Sequence, residues 1–170
     1  MKRPVRRGAR PRRSSHFDEQ GAARMVDVGA KAESVREAVA RGRVSLSREA
    51  FDAVIAGTAK KGDVLGVARI AAIQAAKRTS EWIPLCHPIA LDALEVAFTP
   101  EAAGPVIAIE ARVRTRARTG VEMEALVAVS AAALTIYDMC KSIDRAMVIG
   151  DVRLVRKSGG KSGLYERSEG

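Results

Sequence analysis

The stretch VIAIEARVRTRAR, Val106 to Arg118, decides the fold. Ile107, Ile109, Ala111, Val113, Thr115 and Ala117 fall on one side of an extended chain, and Glu110, Arg112, Arg114, Arg116 and Arg118 on the other. Such period-two alternation belongs to an antiparallel sheet with one face buried. A second strand is expected at Leu91 to Phe98, joined to it by the turn-forming TPEAAGP, and a further one at Met147 to Arg156. Between them Val121 to Lys141 is apolar nearly all round and rich in alanine, which predicts a central buried helix capped by Thr119. Ser47 to Ala56, with Ser47 as N-cap and Gly57 as terminator, and Asp63 to Arg78, with a broad apolar stripe, are two more helices. Strands in hairpin order and helices in blocks give an α+β fold, with helices covering one face of an antiparallel sheet.

Three segments are less simple. MVDV, Met25 to Val28, reads as a short strand. Ser34 to Leu46 pulls two ways: Ser34 with Glu37 is a capping-box signature for a helix, but Gly42 and the β-branched residues do not continue one, and the local reading is helix. IPLCHPIAL, Ile83 to Leu91, is denied a helix by Pro84 and Pro88.

Composition bounds the rest. A chain of 170 residues is one domain's length and can bury a real core. The longest nearly uncharged apolar run, Ala125 to Tyr137, falls short of the ~20 residues of a bilayer span, and the N-terminus is too charged for the apolar region of a secretory signal. Cys86 and Cys140 then read as reduced thiols. The first 13 residues carry seven of the 29 basic side chains and no acid. Removing them leaves 22 basic against 20 acidic residues, so the folded part is nearly neutral. The expected organisation is a disordered basic tail over 1–24, one domain over 25–163 and a flexible C-terminus over 164–170. The arginine side of Val106–Arg118 suggests a nucleic-acid face, but that strand holds no aromatic residue for base stacking, so it reads as a solvated or subunit-facing surface.

Polar groups that interrupt apolar patterns are the candidates for chemistry. Lys60 and Lys61 stand just before a helix start, where an anion is favoured and a cation is not. Asp138 and Lys141 share a face near the end of the long helix, where burial is expected to perturb both pKa values. Glu122 and Glu124 open that helix, Glu122 completing a capping box with Thr119. His87 sits in the proline-stiffened loop beside Cys86; with Cys140 they are the candidate ligands for a zinc ion, and His87 alone suits binding or proton transfer. RKSGGKSG, Arg156 to Gly163, matches only the second half of a Walker A loop and leaves two readings, an anion-binding nest or a solvated chain end.

Taken together, MVDVGAKAESVREA, KKGDVLGVARIAAIQAAKRT, IPLCHPIAL, TGVEMEALVAVSAAALTIYDMCK and MVIGDVRLVRKSGGKSG resemble, in unbroken order from Met25 to Gly163, the cyclic pyranopterin monophosphate synthases, the molybdenum cofactor biosynthesis protein C family. The resemblance implies a ferredoxin-like α+β fold in which 34–46 is a strand, against the local helix reading; we adopt the strand. It implies a cytoplasmic lyase that turns (8S)-3',8-cyclo-7,8-dihydroguanosine 5'-triphosphate, supplied by a radical GTP-cyclising enzyme, into cyclic pyranopterin monophosphate with release of diphosphate. It places Asp138, Lys61, Lys141 and Lys157 in catalysis, and Leu85, Cys86, His87, Met123, Glu124, Arg36 and Glu122 at the substrate. It implies a homohexamer, a trimer of dimers with sites between subunits, no membrane or nucleic-acid partner, and no resident cofactor, with Mg2+ left open as an escort of the phosphates. Lys157 is expected to be ordered and to face the substrate, and Gly159 to Gly163 to stay mobile until phosphates arrive.

Overall fold

The computed structural model describes residues 17, 18 and 20–168, so most of the expected basic tail lies outside it. Five strands form one antiparallel sheet: β1 (Ser34–Ser45), β2 (Ala93–Glu101), β3 (Val106–Ala117), β4 (Val148–Ser158) and β5 (Tyr165–Glu166), in the order β2-β3-β1-β4-β5. Four helices accompany them: α1 (Arg48–Ile55), α2 (Val64–Lys77), the short α3 (Thr79–Trp82) and α4 (Glu122–Cys140). This is the expected ferredoxin-like α+β arrangement, with helices on one face of the sheet.

The segment with two readings is the sheet's central strand. β1 pairs with β3 on one side and β4 on the other, and Ala38, Ala40 and Val44 are wholly buried. Glu37 does not reach back to Ser34 as a capping box requires; its carboxylate takes Arg156 and Arg112 from the neighbouring strands. Two flanking ladders thus outweigh a local helix preference. Gly42 is needed there, because a Cβ would stand 2.6 Å from Val129 Cγ1 of α4, so helix and sheet meet at a point with no room for a side chain.

β3 buries Ile107, Ile109, Ala111, Val113 and Thr115 as its alternation predicts. The Thr115 hydroxyl donates to Ala90 O at 2.6 Å and ties the proline-rich loop to the sheet. On the opposite face the acids Glu37 and Glu110 interleave with Arg41, Arg112 and Arg156, which makes it a charge-paired surface. β2 runs on through Thr99 and Pro100, which an edge strand tolerates because a missing N–H can face outward.

α4 lies in the middle of the helical layer against α2, β1, β3 and β4. It is long and apolar enough to cross a bilayer, yet most of it is enclosed by the rest of the protein. Ser130 and Thr135 donate their hydroxyls to the carbonyls of Leu126 and Ala131, so neither is left unpaired in that layer. The outer surface of α2, α3 and α4 is apolar and bare: Ile70 is 60% exposed, and Trp82 and Leu134 are each 55% exposed.

Several expectations are corrected. Met25 to Val28 is not a strand but an irregular strap. Thr119 does not cap α4: the N-cap is Val121, with no side-chain bond, because the Glu122 carboxylate is drawn to Lys157 and occupies the space where a Cβ of residue 120 would lie. At the start of α2 the side chain of the N-cap, Asp63, accepts from Gly66 N at 2.9 Å and so uses one of the free N–H groups there. β5, not foreseen, comes from the expected flexible C-terminus and pairs with Arg156 and Lys157.

Candidate active site

The beginning of α4 faces a cleft in two halves. The smaller, about 370 Å³, is walled by Leu85, Cys86, His87 and Ile89 from the proline loop, Met123 and Glu124 from the first turn of α4, and Val26, Val28 and Lys31 from the strap. The larger, about 730 Å³, is walled by Ser34, Arg36, Arg118, Lys157, Gly160, Lys161 and Ser162. The two share Lys31, Thr119, Gly120 and Glu122 and are therefore continuous.

The smaller half is held by the chain's irregular parts. Thr115 anchors the proline loop, and His87 Nε2 lies 2.8 Å from Val26 O. A carbonyl only accepts, so Nε2 carries the hydrogen and the ring ties the strap across the cleft. Glu124 is 4% exposed. Burial pushes its carboxyl up to about 7, helped by the negative charge of Glu122 and opposed by a hydrogen bond to its own backbone. A carboxyl that takes and releases a proton near neutrality suits proton exchange with a bound ring. Burial also raises the Cys86 thiol, Glu124 adding to the effect, so Cys86 sits here as a neutral wall group.

The larger half is cationic. Lys157 lies inside β4, paired with Ala38 and Tyr165, and its ammonium holds Glu122 at 2.9 Å and Ser162 Oγ at 3.0 Å. Arg36 donates weakly to Arg118 O at 3.4 Å, while its buried Nε has no partner. With Lys31 and Lys161 this half gathers positive charge from three separate segments. That arrangement fits a polyvalent anion. Of the stretch Arg156 to Gly163, Lys157, Gly160, Lys161 and Ser162 wall this half of the cleft, with Gly160 to Gly163 exposed to solvent.

Asp138, Lys61 and Lys141 lie at the other end of α4. Glu122 and Asp138 are 16 residues apart on one helix, about 24 Å. Lys61 Nζ sits 2.7 Å from Asp138 Oδ2 and donates also to Asp138 O, and Lys141 Nζ sits 2.8 Å from Oδ1. The cluster is about half exposed, so burial is not what perturbs it, contrary to the sequence reading. The hydrogen bonds and charges of Lys141 and Lys61 hold the Asp138 carboxyl down at about 2, and Asp138 in turn raises Lys141.

Of the expected residues, the fold thus brings Leu85, Cys86, His87, Glu122, Met123, Glu124, Arg36 and Lys157 into one cleft and Lys61, Asp138 and Lys141 into another place. Sequence reasoning missed Lys31, which walls both halves; its signal was the position of a lysine inside the quoted MVDVGAKAE run. No group of His, Cys, Asp and Glu among the described residues could hold a metal ion: buried Cys140 is at the Asp138 end of α4, away from Cys86 and His87.

The MoaC family profile matches residues 25–160. The cyclic pyranopterin monophosphate synthase of Pelotomaculum thermopropionicum is 60% identical over 153 residues, 90% of each chain. That of Heliobacterium modesticaldum is 59% identical over 155 residues, covering 91% of this chain and 98% of the relative. Cyclic pyranopterin monophosphate synthase 3 of Mycobacterium tuberculosis is 57% identical over 155 residues, 91% and 87% of the two chains.

Proposed function

The chain belongs to the MoaC family, and from that membership we propose that it is a cyclic pyranopterin monophosphate synthase of molybdenum cofactor biosynthesis, acting as a lyase on 3',8-cyclo-7,8-dihydroguanosine 5'-triphosphate and releasing diphosphate. The observation that carries the substrate reading is the continuity of the two cleft halves: a pocket with a buried, titrating carboxyl opens directly into a basin of Lys31, Arg36, Lys157 and Lys161. A heterocycle joined to a triphosphate has that distribution of charge. On this reading Arg36, Lys31 and Lys157 hold the phosphates, and Glu124, His87 and the backbone around Leu85 and Cys86 hold the base. The sugar-phosphate end closes its ring as diphosphate departs. Mg2+ would enter with the phosphates, and the residues named need no resident cofactor. Its place would be the cytoplasm, downstream of the radical enzyme that cyclises GTP.

Asp138 with Lys61 and Lys141 is the proton-transfer group in this reading. Asp138 stays an anion, accepts hydrogen bonds from both ammonium groups and orients them, so that Lys61 or Lys141 hands its proton to the substrate and takes one back. It stands about 24 Å along α4 from Glu122. One chain therefore supplies two half-sites, and a complete site joins the α4 start of one subunit to the α4 end of another, in a closed homo-oligomer for which we propose the trimer of dimers.

Mixed assemblies test both parts. Asp138→Asn and Lys157→Ala chains are each expected to be inactive, and re-assembly of the two together should restore about a quarter of wild-type turnover of the cyclised nucleotide, the share of sites that draw both intact halves. No recovery from a mixture shown to be co-assembled would place the whole site in one chain. Wild-type protein that leaves the cyclised nucleotide unchanged would sink the assignment itself.

A further inference from the structure

Arg36 is an unusual cation. Among the described residues no carboxylate pairs with it, its Nε is buried without a partner, and its one hydrogen bond is the long contact to Arg118 O. The same basin holds Arg118, paired with Glu33, Lys157, paired with Glu122, and Lys161. Arg36 has no such counter-ion among the described residues, so something else holds it in place.

The shape of the β4 exit does so. Gly159 and Gly160 both have left-handed backbone, φ +94 and +70, and turn the chain beneath the Arg36 side chain. A Cβ on Gly159 would overlap Val35 O and stand 3.1 Å from Arg36 Cδ. A Cβ on Gly160 would overlap Arg36 Nη1 and stand 2.6 Å from Cζ and 2.9 Å from Nη2. The Arg36 side chain, Cδ over Gly159 and the Nη1 end over Gly160, thus lies in a space that exists only because both residues lack a side chain.

We propose that Gly159 and Gly160 are positioning residues: a glycine saddle that holds the unpaired Arg36 guanidinium facing the basin, ready for the substrate's phosphates. The inference rests on the reading above that Arg36 meets those phosphates. Holding the cation in place before the anion arrives removes the ordering cost from binding, and the anion then satisfies the idle donors. The two glycines differ in what they touch. At 159 the obstacle is backbone, so a side chain disrupts the edge of β1; at 160 it is the free end of a flexible side chain, which moves aside and leaves the fold intact.

That difference makes Gly160→Ala the informative variant, with Gly163→Ala as its control, because Gly163 is also left-handed (φ +63) but has open space around it. Inorganic diphosphate binding to the full-length protein is measured by calorimetry. Arg36→Ala should weaken it about tenfold or more, the scale of a lost charge-assisted hydrogen bond. Gly160→Ala should weaken it comparably, Gly163→Ala should leave it near wild type, and Gly160→Ala added to Arg36→Ala should cost nothing further. Both glycine variants should melt alike, since both carry only backbone strain; should Gly160→Ala not fold, Gly160→Asn, better suited to a left-handed backbone, takes its place. Wild-type affinity in the position-160 variant beside a weak Arg36→Ala overturns the saddle and leaves the phosphate role standing, as does a penalty that adds fully in the double variant. Wild-type affinity in Arg36→Ala overturns the phosphate role, and the saddle with it.

Discussion

The two ends of α4 each present a carboxyl group to the solution chemistry of the site, and the fold treats them in opposite ways. Glu124 at the start is almost completely buried, and with no cation against it its proton affinity rises to about 7. Asp138 near the end is exposed and clamped by two lysines, and its affinity falls to about 2. Desolvation disfavours an anion and neighbouring cations favour it, so one helix carries a carboxyl whose proton affinity is raised toward neutrality and another held as an anion. The lesson is that roles are set by what surrounds each end and not by residue type. A group with a proton to give and a group fixed as an anion are the two partners that acid-base chemistry needs.

The widest way to break the contrast is to remove the fixed charge. Asp138→Asn should lower turnover of the cyclised nucleotide by about 10²–10⁴-fold, the usual worth of a positioned proton-transfer group. Retention of full turnover would reduce the cluster with Lys61 and Lys141 to a surface ion pair.

A smaller effect tests the buried end. Glu124 binds its proton more tightly folded than unfolded, so wild-type stability should fall as pH rises from about 4.5 through 7 and then level off. Glu124→Gln should lack that fall and gain on the order of 1–3 kcal/mol over wild type above pH 7, with little difference near pH 4. Melting curves across this range read it directly. Parallel wild-type and variant curves would mean that the carboxyl is solvated after all.

The smallest effect has the reverse sign. Asp138 contributes stability that is present above its unfolded value near 4 and is lost as pH falls through about 2. Because the group is exposed, solvent screens most of it, and acid unfolding of Asp138→Asn should differ from wild type only slightly. A large shift in that limb would show the cluster to be buried by a neighbouring subunit in solution.

Much of the architecture was readable because periodicity is a strong signal where one face is buried: the alternation of β3 and the unbroken apolar run of α4 appear in the structure as written in the sequence. β1 was ambiguous because its Ser34 and Glu37 satisfy a local helix rule, and only the long-range partners Arg112 and Arg156 turn Glu37 to another use. The same limit explains Thr119, whose capping partner Glu122 is taken by Lys157 from a strand 35 residues away in sequence. Site residues were found by resemblance and by polar breaks in apolar patterns. Their placement at the two ends of the long helix was legible, but not which segments would meet each end, since Lys61 comes to Asp138 across 77 residues of sequence and Lys157 to Glu122 across 35. The burial expected for Asp138 failed for a related reason: a helix apolar nearly all round still has one exposed stripe, and Leu134 and Asp138 lie on it at i and i+4.

The bare apolar surface of α2, α3 and α4 carries the chain's only tryptophan, Trp82, beside Ala131 and Leu134. No tryptophan or tyrosine is among the buried core residues, and Phe51 is the one aromatic side chain there among the described residues. Intrinsic fluorescence from this protein therefore reports on its outside. An indole in water emits to the red and a covered one to the blue, so the emission colour of Trp82 distinguishes a bare helical face from a covered one.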